Sequence, residues 1–175
     1  DVSQFDREFL VDLFDHADEL RSLPRSTQRT RLSDRILATL FYEPSTRTRL
    51  SFESAMARLG GSVLSVENAV ESSSATKGES IEDTARIIAG YADAMVMRHP
   101  QTGTPERAAN VVNIPVINAG DGAREHPTQA LLDLYSIRRE LGTIDGLHIA
   151  IMGDLQYGRA PRSLALLLTQ TRATT

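Results

Sequence analysis

Hydroxyl, guanidinium and imidazole groups cluster at several points where an apolar segment of the sequence ends. The first cluster is Glu-Pro-Ser-Thr-Arg-Thr-Arg at residues 43–49, directly after the apolar segment 36–42. Pro44 keeps the preceding residue extended, and Ser45 is a favourable residue at the start of a helix. The first N–H groups of a helix have no partner within it, so they attract anions together with the helix dipole. With the hydroxyls and Arg47 they predict a phosphate site, although a capped surface helix with solvated arginines fits the same residues.

Further polar segments follow the other apolar segments. In open parallel sheets, ligands bind beyond the carboxyl ends of the strands, so these segments are the natural places for a site. Taken singly, each also fits an ordinary role: a polar loop, a helix cap, or an arginine that pairs with an acid. The candidate residues that they contain are Ser73, Lys77, Arg98, His126, Gln129 and Arg159.

Taken together, these residues predict one crevice with several guanidinium groups, and hence a substrate with several negative charges. The sequence has no cysteine, and none of its motifs has the spacing of a metal cage, a Ser-His-Asp set or a Walker loop. The chemistry that remains is the positioning of an anion and the polarisation of a carbonyl group. We therefore expect neither covalent nor metal catalysis.

Strand-like and helical segments alternate along the chain. Such alternation predicts an α/β fold, a parallel sheet flanked by helices on both faces. Pro115 begins one of the strand-like segments, and the turn Asp145-Gly146 precedes another. The predicted strands are residues 36–42, 63–66, 94–97, 115–118 and 147–152.

The composition is that of an ordinary globular protein. Of the 175 residues, 41% are hydrophobic and 24% are charged, and the net charge is −4. An acidic balance argues against nucleic-acid binding, and no apolar run is long enough to span a membrane. We expect a cytoplasmic protein; import into an organelle stays open because the chain begins at Asp1 rather than Met.

Residues 41–53, Phe-Tyr-Glu-Pro-Ser-Thr-Arg-Thr-Arg-Leu-Ser-Phe-Glu, resemble the carbamoyl-phosphate motif of the aspartate and ornithine carbamoyltransferase family. Residues 118–135, which contain His-Pro-Thr-Gln at 126–129, resemble the second motif of the family. Residues 72–80 with Lys77 are similar to the aspartate branch, and the ornithine branch lacks this lysine. The resemblance implies transfer of the carbamoyl group of carbamoyl phosphate to the amine of L-aspartate. The products would be N-carbamoyl-L-aspartate and phosphate, in pyrimidine biosynthesis, with no cofactor or metal.

The resemblance also implies a role for each candidate residue. The phosphate would be bound at the start of a helix by Ser45, Thr46, Arg47 and Thr48. The carbamoyl group would be contacted by Arg98, His126 and Gln129. The expected catalytic residues are Arg47, Thr48, Arg98, His126 and Gln129.

Other implied roles concern aspartate and assembly. Arg159 would hold a carboxylate of aspartate, and Glu43 would pair with Arg98. Ser73 and Lys77 would reach into the site of a neighbouring subunit, which implies a homotrimer with shared active sites. The resemblance leaves room for regulatory chains as well.

The resemblance divides the chain into residues 1–142, a carbamoyl-phosphate-binding domain, and residues 143–175, the first β–α unit of a truncated aspartate-binding domain. Because family members carry a complete second domain, we expect this chain alone to have little or no activity. Two alternatives stay open: a non-catalytic module that binds carbamoyl phosphate or assembles with other chains, and the ornithine branch of the family.

Overall fold

The computed structural model describes residues 1–67 and 78–172. It divides the chain into two compact units, one formed by Leu23–Gly122 and the other by Asp1–Ser22 with Ala123–Thr175. The predicted contributions of Ser73 and Lys77 to a neighbouring site fall outside the described residues.

Helices and strands alternate as the sequence predicts. No helix within the described residues is both long and apolar enough to cross a bilayer. After a short 3₁₀ helix at Val2–Gln4, the helices are α1 (Arg7–Ser22), α2 (Arg25–Gln28), α3 (Thr46–Arg58), α4 (Ile81–Ala89), α5 (Thr104–Ala109), α6 (Pro127–Leu141) and α7 (Arg159–Leu168). The strands are β1 (Ile36–Phe41), β2 (Ser62–Glu67), β3 (Ala94–His99) and β4 (Val116–Asp121).

A four-stranded parallel sheet in the order β2-β1-β3-β4 forms the centre of the unit Leu23–Gly122. Strands β1 and β3 pair directly, and the last pair of their register is Phe41 with Arg98. Parallel strands end at the same edge of a sheet, so the segments that follow β1 and β3 are neighbours. The prediction of a parallel α/β sheet is confirmed.

The sheet has a core on each face because successive residues of a strand point to opposite sides. Phe41 of β1 packs against Met56 of α3 on one face. Leu40 of β1 packs in a cluster with Ala85 of α4 on the other face. Both strand residues are 2% exposed, and burial of a side chain of this size contributes about 1.5–3 kcal/mol. Helices therefore cover both faces of the sheet.

The unit formed by Asp1–Ser22 and Ala123–Thr175 is helical. Its core contains fully buried side chains from three helices, namely Leu10, Phe14, Leu134, Leu167 and Leu168. Arg7 at the start of α1 donates two hydrogen bonds to the carboxylate of Asp145, at 2.7 and 2.6 Å. These contacts join segments that are far apart in the sequence.

The fifth predicted strand, residues 147–152, does not form. Only His148 within it makes an isolated bridge, and Met152 at its end is 89% exposed. An apolar alternation creates a strand only where a neighbouring strand accepts its hydrogen bonds, and this segment is not a member of the four-stranded sheet. The following helix begins at Arg159, which the sequence placed in a loop.

Candidate anion-binding site

The start of α3 presents unpaired backbone donors. Ser45 occupies the cap position, but its side chain makes no capping hydrogen bond. The first bonded amide of the turn belongs to Arg49, which donates to the carbonyl oxygen of Ser45 at 3.0 Å. No hydrogen bond among the described residues uses the N–H groups of residues 46–48, and Thr46 and Arg47 are exposed. These three donors and the positive end of the helix dipole are therefore open to an anion.

Arg98 lies at the carboxyl end of β3 and is nearly buried. Its Nη2 donates to Glu43 Oε1 at 2.6 Å, which is the ion pair that the sequence predicts. Nη1 makes a long contact of 3.4 Å to the carbonyl oxygen of Ala119, and the buried Nε has no hydrogen-bond partner among the described residues. A buried guanidinium with a free donor keeps capacity for a further acceptor.

Backbone hydrogen bonds fix both sides of Arg98. The N–H of Tyr42 donates to the carbonyl oxygen of Arg98 at 2.9 Å, and the N–H of Gly122 donates to that of His99 at 2.9 Å. Gly122 has a φ of +51°, and a Cβ there would lie 2.4 Å from Thr102 Oγ1. The residue must therefore be glycine for this close approach of the two loops.

A polar network that the sequence did not reveal ties α3 to the sheet. Glu53 Oε1 of α3 accepts hydrogen bonds from Thr39 Oγ1 of β1 at 3.0 Å and from Ser65 Oγ of β2 at 2.6 Å. Arg49 lies 3.7 Å from the same carboxylate oxygen. Thr39 in an otherwise apolar strand is the one sequence signal for this network. The network fixes α3, and with it the open amides at the start of the helix.

His126 belongs to the other compact unit, where it occupies the cap position of α6. It is 7% exposed, and its N–H donates to Ser163 Oγ of α7 at 2.9 Å. Ser163 is fully buried, and its part in holding this turn was not predicted, since nothing local in the sequence marks such a long-range contact. In the next turn, Gln129 Nε2 donates to Asp133 Oδ1 at 2.9 Å.

The predicted residues that the structure describes thus fall into two groups. One group lies in the unit Leu23–Gly122 and contains the first residues of α3, Glu43 and Arg98. The ends of β1 and β3 place this group at one edge of the sheet. His126, Gln129 and Arg159 lie in the other unit, and Arg159 is the first residue of α7. Among the described residues, no three His, Asp or Glu side chains are close enough together to hold a metal ion.

Comparison with known proteins places the chain in a family. A family model described as "Aspartate/ornithine carbamoyltransferase, carbamoyl-P binding domain" matches residues 1–139. The chloroplastic aspartate carbamoyltransferase of Arabidopsis thaliana is 58% identical over 168 residues, which are 95% of this chain and 43% of that protein. The aspartate carbamoyltransferase catalytic subunit of Thermoplasma acidophilum is 52% identical over 170 residues, covering 97% of this chain and 55% of that subunit.

Solved structures agree with this result. The aspartate transcarbamoylase of Trypanosoma cruzi in complex with carbamoyl phosphate and aspartate matches with a TM-score of 0.89 at 45% identity. The match covers 97% of this chain and 56% of that chain. The chain therefore spans about half the length of the relatives that it matches. It belongs to the aspartate/ornithine carbamoyltransferase family.

Proposed function

We propose that this chain is the carbamoyl-phosphate-binding part of an aspartate carbamoyltransferase. The reaction is attack of the amine of L-aspartate on the carbamoyl carbon, which gives N-carbamoyl-L-aspartate and phosphate. The observation that carries the proposal is the set of open amides at residues 46–48, at the edge of the sheet where Arg98 lies near the end of the neighbouring strand. The relatives of the chain that are named aspartate carbamoyltransferase support the choice of reaction.

The start of α3 suits the phosphate of the substrate. A phosphate dianion accepts hydrogen bonds from the amides of residues 46–48 and from the hydroxyls of Ser45, Thr46 and Thr48. Arg47 is exposed, so its side chain is available to the anion. Charge builds up on the phosphate as it leaves, and a guanidinium already in place stabilises that charge without further reorganisation. The leaving phosphate also accepts the proton of the attacking amine.

The carbamoyl carbonyl requires donors aimed at its oxygen. Arg98 is held by Glu43 and retains a free Nε–H, which supports its assignment to this role. We assign Thr48, His126 and Gln129 to the same group on the resemblance of their motifs. Arg98 and these residues polarise the carbonyl bond and make the carbon more electrophilic.

The assignments that concern aspartate binding and assembly rest on the resemblance to the family. We assign Arg159 to a carboxylate of aspartate, residues 1–142 to the carbamoyl-phosphate domain and residues 143–175 to the start of the aspartate domain. Homotrimeric assembly, with Ser73 and Lys77 acting in a neighbouring site, belongs to the same proposal. Plant relatives carry chloroplastic in their names, and the compartment of this chain stays a prediction.

Inorganic phosphate tests the site directly. We expect phosphate to raise the melting temperature of the chain in a saturable way, since a ligand that binds only the folded state stabilises it. Arg47→Gln should weaken this stabilisation. Arg58→Gln is the matched control, because Arg58 lies on the same helix but at its last turn, where its Nε bonds Ser54. Equal effects of the two substitutions would remove the assignment of the phosphate site.

Product formation separates the candidate reactions. The test is to incubate the chain with carbamoyl phosphate and either L-aspartate or L-ornithine, and to measure the formation of carbamoyl aspartate and of carbamoyl ornithine. Slow or absent carbamoyl-aspartate formation with intact phosphate binding is expected. Carbamoyl transfer to ornithine alone would place the chain in the other branch, and phosphate binding without any turnover in a reconstituted full-length protein would favour the non-catalytic module.

A further inference from the structure

A ring contact lies behind the Glu43–Arg98 pair. Tyr42 and His99 immediately neighbour the two charged residues in the sequence, and their rings pack with centroids 4.8 Å apart at an angle of 52°. Because side chains alternate along a strand, Tyr42 joins the core on the face of α4 and α5, opposite to Phe41. His99 therefore supports the strand end from which Arg98 projects.

The imidazole of His99 closes the turn that leads into α5. Its Nδ1 accepts a hydrogen bond from the N–H of Gln101 at 3.0 Å. Thr104 Oγ1 lies 3.1 Å from the same nitrogen and donates to the carbonyl oxygen of Gln101 at 2.8 Å. An acceptor at Nδ1 requires the neutral ring with its proton on Nε2. A proton on Nδ1 would face the N–H of Gln101 and break the turn.

We propose that His99 is a positioning residue for the anion site: its neutral imidazole closes the turn at residues 99–104 and so holds Arg98 toward the ligand. This inference rests on the proposed function, because Arg98 matters only if an anion binds there. Arg98 and His99 are joined by one peptide bond, and the carbonyl oxygen of each is tied to a neighbouring loop. A break in the turn therefore moves the guanidinium.

The surroundings of His99 favour the neutral ring. Burial lowers its pKa, and the positive charge of Arg107 on α5 acts in the same direction. The backbone hydrogen bond with Gln101 opposes this shift, and Asp121 at the end of β4 and Glu43 after β1 oppose it as well. Glu82 of α4 faces Arg107 and pairs with it at 2.7 Å. Burial is the largest of these effects, and the net effect favours the neutral ring.

The proposal predicts that a bound anion lowers the pKa of His99, where a nearby negative charge would ordinarily raise it. A dianion near a histidine raises the pKa of that histidine by simple attraction. If the anion instead binds better to the protein with a neutral His99, linkage requires that the bound anion lowers this pKa. We therefore expect saturating sulfate, which remains doubly charged throughout, to lower the pKa of His99 in an NMR titration. A titration in sodium chloride at the same ionic strength is the control.

Two variants distinguish the effect of the hydrogen-bond acceptor at residue 99 from the effect of the ring that packs beside Tyr42. His99→Asn keeps an acceptor two residues before the Gln101 N–H, as in an Asx turn, but does not titrate. It should retain sulfate affinity near that of the parent chain, and the loss of affinity on acidification should be smaller than in the parent. His99→Phe keeps a ring beside Tyr42 but has no acceptor, and should bind sulfate about fivefold more weakly. His16→Asn is the control substitution.

The outcomes are distinct. A lowered pKa of His99 with sulfate, together with rescue by His99→Asn, supports the proposal. An unchanged or raised pKa overturns it even if His99→Phe fails to fold. Sulfate binding that depends on Arg47 but is equal in both His99 variants rejects the role of His99 and leaves the anion site in place. Absence of Arg47-dependent binding rejects the proposed function itself, and with it this inference.

Discussion

Removal of the charge of Glu43 should destabilise the protein because Arg98 then has no partner for its buried charge. The side chains of Arg98 and Glu43 are 11% and 29% exposed, so the guanidinium is the more deeply buried member of the pair. Breaking a buried ion pair costs about 3–5 kcal/mol, and the partial exposure of Glu43 reduces this figure. We expect Glu43→Gln to lower the free energy of unfolding by about 2 kcal/mol.

The double mutant carries the stronger prediction. Arg98→Met alone leaves a carboxylate that water can reach, so we expect a smaller loss of about 1 kcal/mol. With both substitutions no charge remains buried, and a pair of neutral residues is often as stable as a buried ion pair. The double mutant should therefore lose no more than about 1 kcal/mol, well below the sum of the single losses.

Urea unfolding followed by circular dichroism measures all four proteins of this cycle. The control is Glu82→Gln, which removes one member of the exposed pair with Arg107 and should change stability little. Additive losses in the cycle, or a loss for Glu43→Gln no larger than that of the control, would refute the claim that Arg98 depends on Glu43 for its charge.

Further predictions concern the packing and turns that support the site, each measured by urea or thermal unfolding. Leu134→Ala should cost about 2–5 kcal/mol because Leu134 is fully buried, whereas exposed Leu132→Ala should cost far less. Gly122→Ala should destabilise the chain by more than about 1 kcal/mol, because φ is +51° and the new Cβ would clash with a neighbouring loop. Ser80→Ala should cost about 1 kcal/mol, because the Ser80 side chain accepts the N–H of Asp83 at the start of α4. The pKa of His99 is lowered in the folded state, so its neutral ring stabilises the fold above the unfolded-state pKa, and this stabilisation is lost as the pH falls through the folded-state pKa. The substitution His99→Asn should reduce this loss of stability at low pH.

Local patterns in the sequence predicted most of the sheet. Strands β1 and β3 contain short apolar runs that polar residues follow in the sequence. The segment 147–152 has the same pattern but forms no strand. A pattern specifies which side of a segment is apolar, whereas a strand also needs a neighbour with which to pair.

The site was predictable where its parts are consecutive. The motif that begins at Ser45 carries its own helix start, and Glu43 with Arg98 follow from the pairing of two strand ends. Contacts between distant segments were not predicted: no motif marks Ser163 as a partner of His126, and Thr39 in an apolar strand is the one sequence signal for its contact with Glu53. These contacts depend on the packing of helices, which local spacing does not encode.

The central claim is that a small dianion binds to the amides that begin α3. The direct measurement is an NMR titration of the ¹⁵N-labelled chain with inorganic phosphate, in which the amide resonances of Thr46, Arg47 and Thr48 are followed. The account predicts large, saturable shifts at these three amides, and much smaller ones in Arg47→Gln at the same phosphate concentration. Shifts that are absent, or that are spread evenly over the surface arginines without saturation, would contradict it.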